Sequence, residues 1–501
     1  MVKKRADKCK TTGKERDDHG VLNKTRFGPL SIEIKDPRSA ILLLKSGEDQ
    51  AVIAAIVALS KFGSKGIENL GILHDLNVVS LVIPLIIHEE IFVRRFATKL
   101  LAEMAVLNDV RNFLLGSQCY VSHFKNVLVN DTDICIHEFV SLILAELSKD
   151  MFGVAQLLEN CGNNFDFLFE RIKSADPDVK KNSIEIIHNL LRDPIAAQRI
   201  IKTENFDFSS IQELLKQPYP VIQLLTLEVI NFLVARCKDE NIQKLFRLSR
   251  GPEALLNILD NVEFEDLHQK VLEILSLACD NQKTVDLLCS TDGIHKLLNY
   301  MESCDKKLAL DILNVIVQLA NSIHGRKELH KRGIIPQLFN LMCEPLNLEV
   351  ARSSYYGIAK MVQYGPAAEE ITSSNPIPSI IGSVKNENLK PIVRHAAIYC
   401  LAELLFSDRR NCFNLFQIEG QIHLLRMIKK PTENISVEMQ VTALQCLRAI
   451  GSYPDFREKI ISAEFIDVLC TPIASRYDFE LKTSLAARYQ FKSSRMQSQL
   501  L

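Results

Sequence analysis

The chain has 501 residues, which is more than a globular domain with a single hydrophobic core usually contains. Lysine and arginine total 60 against 61 aspartates and glutamates, so charge gives no reason to expect nucleic acid or an anionic membrane as the main partner. Hydrophobic residues make up 47%, enough for most of the chain to fold, while glycine, proline and aromatic residues are scarce. This composition favours helices over strands and predicts either several domains or an elongated helical array.

Residues 1–35 are predicted to be a disordered polar tail. The segment MVKKRADKCKTTGKERDDHG is mixed in charge and has no hydrophobic periodicity. It also lacks the apolar stretch of a signal peptide, and apolar runs elsewhere, such as LVIPLII at 81–87, are too short to cross a bilayer. The cluster Lys3-Lys4-Arg5 could be a nuclear address, but a solvated tail is the preferred interpretation.

The thirteen cysteines form no Cys-x-x-Cys pair anywhere in the chain. Most of them lie within apolar helical patterns, which is typical of reduced cysteines that pack as small core residues. We therefore expect a cytoplasmic protein without a disulfide framework and without integral membrane insertion.

One helical pattern recurs along the chain at spacings of 41 to 46 residues. Each occurrence is a mostly small or β-branched residue followed by side chains four and seven positions later, which places all three on one face of a helix. The ten occurrences, which we call anchor triplets, are Ala55/Leu59/Phe62, Ala97/Leu101/Met104, Val140/Leu144/Leu147, Ser183/Ile187/Leu190, Thr226/Ile230/Leu233, Val271/Leu275/Ala278, Ile312/Ile316/Leu319, Ser354/Ile358/Met361, Ala397/Leu401/Leu404 and Ala443/Leu447/Ile450.

A glycine followed by an apolar run recurs between these helices, at Gly251, Gly293, Gly333 and Gly420. We expect these glycines to occupy a bend between a short helix and a middle helix. Proline or acidic residues should begin the long helix, as in Asp176-Pro177-Asp178. Each unit is thus predicted to contain a short first helix, a middle second helix and a long third helix.

A period of this length with three helices resembles the armadillo-repeat family across about 440 residues. The phrases VRRFAT (93–98), CIHEF (135–139), DPDVKKNS (176–183) and YPVIQLL (219–225) resemble one member of that family in particular. The resemblance implies an all-α, armadillo-type right-handed solenoid of about ten three-helix repeats over residues 36–475, with a capping helix and tail at 476–501. It also implies a role in cilia, sperm flagella or male germ cells, and a further C-terminal region in the relative that we do not expect within this sequence.

In a right-handed armadillo solenoid the third helices line a concave groove, and positions +2 and +6 from the first anchor should face it. Nuclear import adaptors of the family carry tryptophan and asparagine at these positions. Here only Asn189 keeps that pattern, which argues against a nuclear transport adaptor. The two series hold six glutamates against three lysines, so a mildly acidic lining is predicted.

Eight positions are candidate partner-binding residues on this face. Three carboxylates could meet a basic segment of a partner, and the apolar and aromatic side chains could anchor an apolar one. The alternatives are a solvated polar face for the former and partial burial against the next repeat for the latter. The candidates are Glu185, Glu228, Glu273, Asn189, Phe232, Leu277, Tyr356 and Tyr399.

No constellation for catalysis or metal binding is evident in the sequence. His137-Glu138 and His88-Glu89 begin like a zinc-protease motif, but Ser141 and Phe92 stand where the second histidine is needed. We therefore expect no enzyme activity, no catalytic or metal site and no cofactor.

The sequence predicts a non-enzymatic scaffold or adaptor that binds partner proteins, and no nucleic acid, along the groove. One alternative is a membrane-surface anchor similar to the vacuolar armadillo proteins, which would need lipidation at Cys9. The other is the nuclear transport adaptor. The oligomeric state cannot be deduced from these patterns.

Overall fold

The computed structural model describes residues 34–161, 165–204, 206–236, 239–303, 308–343, 347–429, 434–460 and Val468. These residues form helices and connecting turns, with no strand among them. They divide into two units, Met1–Arg236 and Cys237–Leu501, which are described separately. The predictions for residues 1–33, including Cys9, and for the capping helix at 476–501 lie outside the described residues.

Five long third helices dominate the first unit. Its helices are α1 (Arg38–Leu43), α2 (Asp49–Gly63), α3 (Ile67–Asp75), α4 (Val78–Val82), α5 (Ile91–Met104), α6 (Asn108–Leu115), α7 (Gln118–Asn130), α8 (Ile134–Ser148), α9 (Met151–Cys161), α10 (Asp166–Arg171), α11 (Pro177–Leu190), α12 (Pro194–Ile201), α13 (Phe208–Glu213) and α14 (Pro220–Asn231). The 3-10 segments Ile83–Ile87 and Leu214–Lys216 extend α4 and α13, and a π-helical turn, Phe232–Arg236, follows α14. The third helices are α2, α5, α8, α11 and α14.

The second unit repeats the same order. Its helices are α15 (Glu240–Leu248), α16 (Gly251–Leu259), α17 (Glu265–Ala278), α18 (Gln282–Ser290), α19 (Gly293–Ser303), α20 (Ala309–Leu319), α21 (Ile323–Lys331), α22 (Ile334–Met342), α23 (Leu348–Met361), α24 (Gly365–Ser373), α25 (Ile377–Lys385), α26 (Pro391–Ser407), α27 (Arg409–Gln417), α28 (Gly420–Lys429), α29 (Val437–Ser452) and α30 (Pro454–Ile460), with a 3-10 turn at Val262–Phe264. Its third helices are α17, α20, α23, α26 and α29.

Within each unit every third helix packs against the next third helix in the chain. All thirty residues of the anchor triplets are buried, including the polar Ser183, Thr226 and Ser354. Thr226 and Ser354 donate their hydroxyls to carbonyls of their own helices, so these side chains enter the core without an unsatisfied donor. The all-α fold of three-helix repeats predicted from the triplets is confirmed.

Acidic N-caps fix where several third helices begin. Asp176 accepts hydrogen bonds from the backbone of Asp178 and Val179, with Pro177 as the first helical residue of α11. Asp133 caps α8 in the same way and also accepts a hydrogen bond from Arg95 Nε of α5 at 3.1 Å. The cap of one third helix is thus tied to the third helix before it.

The bend between the first and second helices differs in detail from the prediction. Gly333 has a positive φ of 76°, but at two other bends this conformation falls on Arg250 and Glu419, each the residue before the expected glycine, and Gly293 does not adopt it. Gly251 and Gly420 are required for close packing instead. A Cβ at Gly251 would lie 2.1 Å from the Phe246 ring, and one at Gly420 would lie 2.3 Å from Leu415 Cδ1.

Among the described residues, no single helix has both the length and the apolar composition to span a bilayer. The pair Ile67–Asp75 and Val78–Ile87, which meet at an angle of 74°, reaches that composition only when taken together. Leu73, Val78 and Val82 of this pair are buried within the repeat stack.

Replacement of Ile187 by aspartate should lower the free energy of unfolding by several kcal/mol, because it places an unpaired carboxylate at a position that is only 1% exposed. The urea midpoint of the full chain measures the effect. The matched control is Ile195→Asp on α12, where the side chain is 59% exposed and a change within about 0.5 kcal/mol is expected. Equal effects at the two positions would contradict the buried-anchor assignment.

Replacement of Gly251 by alanine should cost about 1–3 kcal/mol, because the new methyl group overlaps a fully buried phenylalanine ring. Gly71 in the middle of α3 is the control, since a Cβ there meets nothing within 4 Å. Gly71→Ala should leave the midpoint unchanged or raise stability by up to about 1 kcal/mol through its better helix propensity. A neutral Gly251→Ala variant would show that the bend does not need the close approach.

Candidate partner-binding face

We define the third-helix face as the accessible side chains of the third helices, taken within each unit. All ten +2 positions lie in the described residues, and nine of them are at least partly accessible to solvent, the exception being Val57. The +6 positions are less uniform, because Glu146, Asn189 and Ala449 are buried. The +2 line therefore marks the accessible face more reliably than the +6 line.

Asn189 is part of the packing between third helices. Its side chain is 5% exposed, and its Nδ2 donates to Ser148 Oγ at 3.0 Å. Asn182, two turns earlier on α11, makes the same kind of bond to Ser141 Oγ at 3.1 Å. The amide of this candidate partner-binding residue is thus used to connect α11 to α8, and Asn189 does not belong to the accessible face.

Glu185 is accessible at one edge only and lies between two lysines. Lys149 Nζ lies 3.6 Å from its Oε1, and Lys181, one turn earlier on α11, contacts its Oε2. Lys149 also pairs with Glu146 on α8. The negative charge of Glu185 is therefore largely balanced within the protein, and a basic segment would have to compete with these lysines.

Glu228 is half-buried on α14, the third helix after Glu185. Both carboxylates lie near His188 on α11. Burial, followed by the positive charge of Arg192, holds the pKa of His188 below its usual value, while Glu228 and Glu185 act in the opposite direction. The structure thus brings together two of the three predicted glutamates around one imidazole.

Glu273 belongs to the second unit, where it is exposed on α17. Lys270 Nζ lies 3.0 Å from its Oε2. Burial, followed by the negative charge of Glu273, raises the pKa of Asp311 on the neighbouring α20. This carboxylate therefore has both a cation and a second acid close by.

The aromatic candidates in the second unit form one feature. The rings of Tyr356 on α23 and Tyr399 on α26 have centroids 5.6 Å apart at an interplanar angle of 49°. Both side chains are half-buried, and burial followed by the charge of Glu403 raises the pKa of Tyr399. Their positions 43 residues apart predicted equivalent places on neighbouring repeats, but the ring contact itself was not predicted.

Polar side chains surround this tyrosine pair. Lys360 and Glu403 occupy the +6 positions of the same two helices, and Gln363 Nε2 donates to Glu403 Oε2 at 3.2 Å. The arrangement is thus an aromatic pair with charged and amide groups on the same two third helices or just beyond them.

The remaining apolar candidates are less prominent. Phe232 is half-buried at the start of the π-helical turn after α14, and Leu277 on α17 is 36% exposed. The two residues belong to different units.

The described residues contain one group of three possible metal ligands: Glu138, Asp176 and Asp178, whose carboxylate oxygens lie within 4.8 Å of one another. Asp176 already accepts two backbone N–H groups as the cap of α11. The ring of His137 contacts the carbonyl oxygen of Asp131 at 2.6 Å and is buried. Neither group presents an arrangement suited to acid–base or nucleophilic chemistry.

Glu103, at the +6 position of α5, provides a test of the electrostatics of the face. Burial raises its pKa, and this effect exceeds the opposing effects of the hydrogen bond from Ser60 Oγ and of Lys99. Because the folded state holds the proton more tightly than the unfolded state, Glu103 reduces stability as the pH rises through its titration range.

Glu103→Gln should therefore raise the free energy of unfolding at pH 7, and the gain should shrink as the pH falls toward about 5. Urea unfolding at the two pH values measures this. The control, Glu48→Gln at an exposed position, should show no such gain. A Glu103→Gln variant less stable than the wild type at both pH values would mean that the Ser60 and Lys99 contacts outweigh burial.

Comparison with known proteins agrees with the architecture, although no family model matches the sequence. The chain is 30% identical over 404 residues to armadillo repeat-containing protein 3 from Homo sapiens, a match that covers 80% of this chain and 45% of that protein. The chain thus spans less than half the length of this relative.

Two solved structures have the same fold. One is an engineered protein with a TM-score of 0.66 and 15% identity, covering 83% of this chain and 99% of that chain. The other comes from work described as "A conserved phosphorylation switch controls the interaction between cadherin and beta-catenin in vitro and in vivo", with a TM-score of 0.68, 15% identity and coverage of 90% and 91%. Together with the triplets and the three-helix order, these likenesses identify the repeats. The chain therefore has the armadillo fold and resembles the armadillo-repeat family over most of its length.

Proposed function

We propose that the chain is a non-enzymatic scaffold that binds partner proteins through its third-helix face. The observation that carries this proposal is the contact of Tyr356 with Tyr399, two half-buried rings on consecutive third helices. Tyrosine offers a large contact area at a low cost in side-chain entropy, and such residues supply much of the binding energy of protein interfaces.

The charged residues of the first unit have a different role in this proposal. Glu185 and Glu228 lie on consecutive third helices around His188, but the lysines beside Glu185 already balance much of the charge. We therefore assign the anchoring role to the tyrosine pair and a selective role to the charged residues, which favour some partners by complementarity and disfavour others by repulsion.

The cellular setting is part of the same proposal. The resemblance to armadillo repeat-containing protein 3 implies cilia, sperm flagella or male germ cells, and we assign the scaffold to the cytoplasm and the axonemal compartment on that basis. Proximity labelling in ciliated cells, followed by mass spectrometry, tests this. Enrichment of axonemal or intraflagellar proteins is expected, whereas enrichment of importins or of vacuolar membrane proteins would favour the nuclear adaptor or the membrane anchor instead.

The double variant Tyr356→Ala/Tyr399→Ala should weaken binding of the principal labelled partner by at least about tenfold, because two aromatic anchors are removed together. Isothermal titration calorimetry with the purified partner gives the dissociation constants. The urea midpoint of the variant must stay close to that of the wild type for the comparison to be valid.

The matched control is Phe113→Ala/Tyr120→Ala. These two rings also stack on the surface, with centroids 6.1 Å apart, but they lie on the first and second helices α6 and α7. This control should bind the partner as the wild type does. Equal affinity of the tyrosine variant and the wild type would refute the proposed anchoring role.

A further inference from the structure

Arg394 on α26 is a buried cation without a carboxylate partner. Its side chain is 1% exposed, and it donates from Nε to the Val384 carbonyl at 3.1 Å and from Nη1 to the Asn434 carbonyl at 3.5 Å. Among the residues that the structure describes, no carboxylate lies within ion-pair distance of its guanidinium. Because a buried charge is costly unless it is paired, an anion close to this guanidinium would stabilise it.

Other basic side chains lie near Arg394, because Lys385 follows Val384, whose carbonyl accepts from Arg394, and Lys385, Arg394 and Arg426 all act electrostatically on His423. Lys385 ends α25, and His423 and Arg426 lie on α28, the second helix of the following repeat. Lys385 and Arg426 are exposed, and the described residues show no ion pair for either of them. We call Lys385, Arg394, His423 and Arg426 the cation cluster.

His423 is the least satisfied member of this cluster. Its Nε2 is buried and has no hydrogen-bond partner within the described ranges. Burial, followed by the charges of Lys385, Arg394 and Arg426, holds its pKa below the usual value, while the exposed Glu387 acts in the opposite direction. The imidazole is therefore surrounded mainly by positive charge, with a single nearby carboxylate opposing it.

The start of α26 adds to the positive potential. This 17-residue helix begins at Pro391 with Lys390 as its N-cap, without a side-chain cap and without an acidic residue in its first turn. In α8 and α11, by contrast, an aspartate fills that place. The positive end of the α26 dipole is thus left without an acidic neighbour in its first turn, next to Arg394.

We propose that the cation cluster and the start of α26 bind a phosphate monoester carried by a segment of a partner protein. A dianionic group matches two exposed cations, a buried guanidinium and a helix N-terminus better than a single carboxylate does, and arginine binds its oxygens in a bidentate geometry. The cation cluster contains neither Tyr356 nor Tyr399, so the proposal does not depend on the tyrosine pair.

Exposed apolar side chains in the first turns of two consecutive third helices favour a peptide as the carrier. Ile392, two residues before Arg394 in α26, and Val437, the first residue of α29, are 45% and 50% exposed. They can contact residues that flank a phosphorylated side chain, contacts that a free phosphate or a lipid headgroup would not make. Nucleic acid would need a longer basic track than these four residues offer, and the chain as a whole has balanced charge.

The test uses the full chain and an array of synthetic peptides. Each peptide carries a central phosphoserine with isoleucine or valine scanned through the flanking positions, and each has a counterpart with serine or glutamate at the centre. The phosphoserine peptides should bind, with a preference for an apolar neighbour, and inorganic phosphate should compete. Lys385→Ala/Arg426→Ala should weaken binding, measured by fluorescence anisotropy, by at least about tenfold.

The exposed double variant is preferred over a change at Arg394, because a substitution of the buried arginine could unfold the repeat. Lys244→Ala/Lys327→Ala, which removes two exposed lysines from first helices of the same unit, is the charge-matched control and should bind normally. Tyr356→Ala/Tyr399→Ala should also bind these peptides normally, which separates this site from the third-helix face.

Four results would overturn the proposal. They are equal binding of glutamate and phosphoserine peptides, binding only to vesicles that contain phosphatidylinositol phosphates, no binding of any phosphoserine peptide, and equal loss of binding in the Lys244→Ala/Lys327→Ala control.

Discussion

The contact of each third helix with the next is the interaction on which the rest of the molecule depends. Small residues at the first anchor, such as Ala97, Ser183 and Ala397, are buried where the helices meet, and the larger anchors fill the space beside them. A single three-helix repeat leaves this apolar stripe uncovered, so stability arises only when repeats stack. Because one side of every third helix is committed to stacking, the opposite side stays available for partners.

Polar residues also contribute to that stacking, and this changes which of them are free for binding. Asn182 and Asn189 on α11 donate to serine hydroxyls on α8. Glu185 on α11 pairs with Lys149, the residue that follows α8. These bonds fix one helix relative to the other more closely than apolar packing alone would. The residues that we propose for recognition are the tyrosine pair and the cation cluster.

The spacing of the anchor triplets predicted all ten third helices. Within each unit, each third helix packs against the next in the same way, so small and apolar side chains are buried at the same positions in every repeat. The spacing predicted less well which polar residues face outward. Positions +2 and +6 differ by roughly 40° around a helix, so a small rotation buries one and leaves the other accessible, as with Asn189 and Glu185. The cation cluster was missed because the search followed third helices, although Lys385 and Arg426, 41 residues apart, occupy matching second helices.

The hydrogen-bonded ion pair between Arg95 and Asp133 affects how the stacked repeats unfold. Asp133 holds the first turn of α8, and its carboxylate is itself held by α5 of the preceding repeat. If the earlier repeat frays, the later helix loses part of its N-terminal support at the same moment. Local melting in this part of the chain should therefore spread from one repeat to its neighbour, so that proteases and hydrogen exchange encounter a cooperative block of repeats and not a set of independent ones.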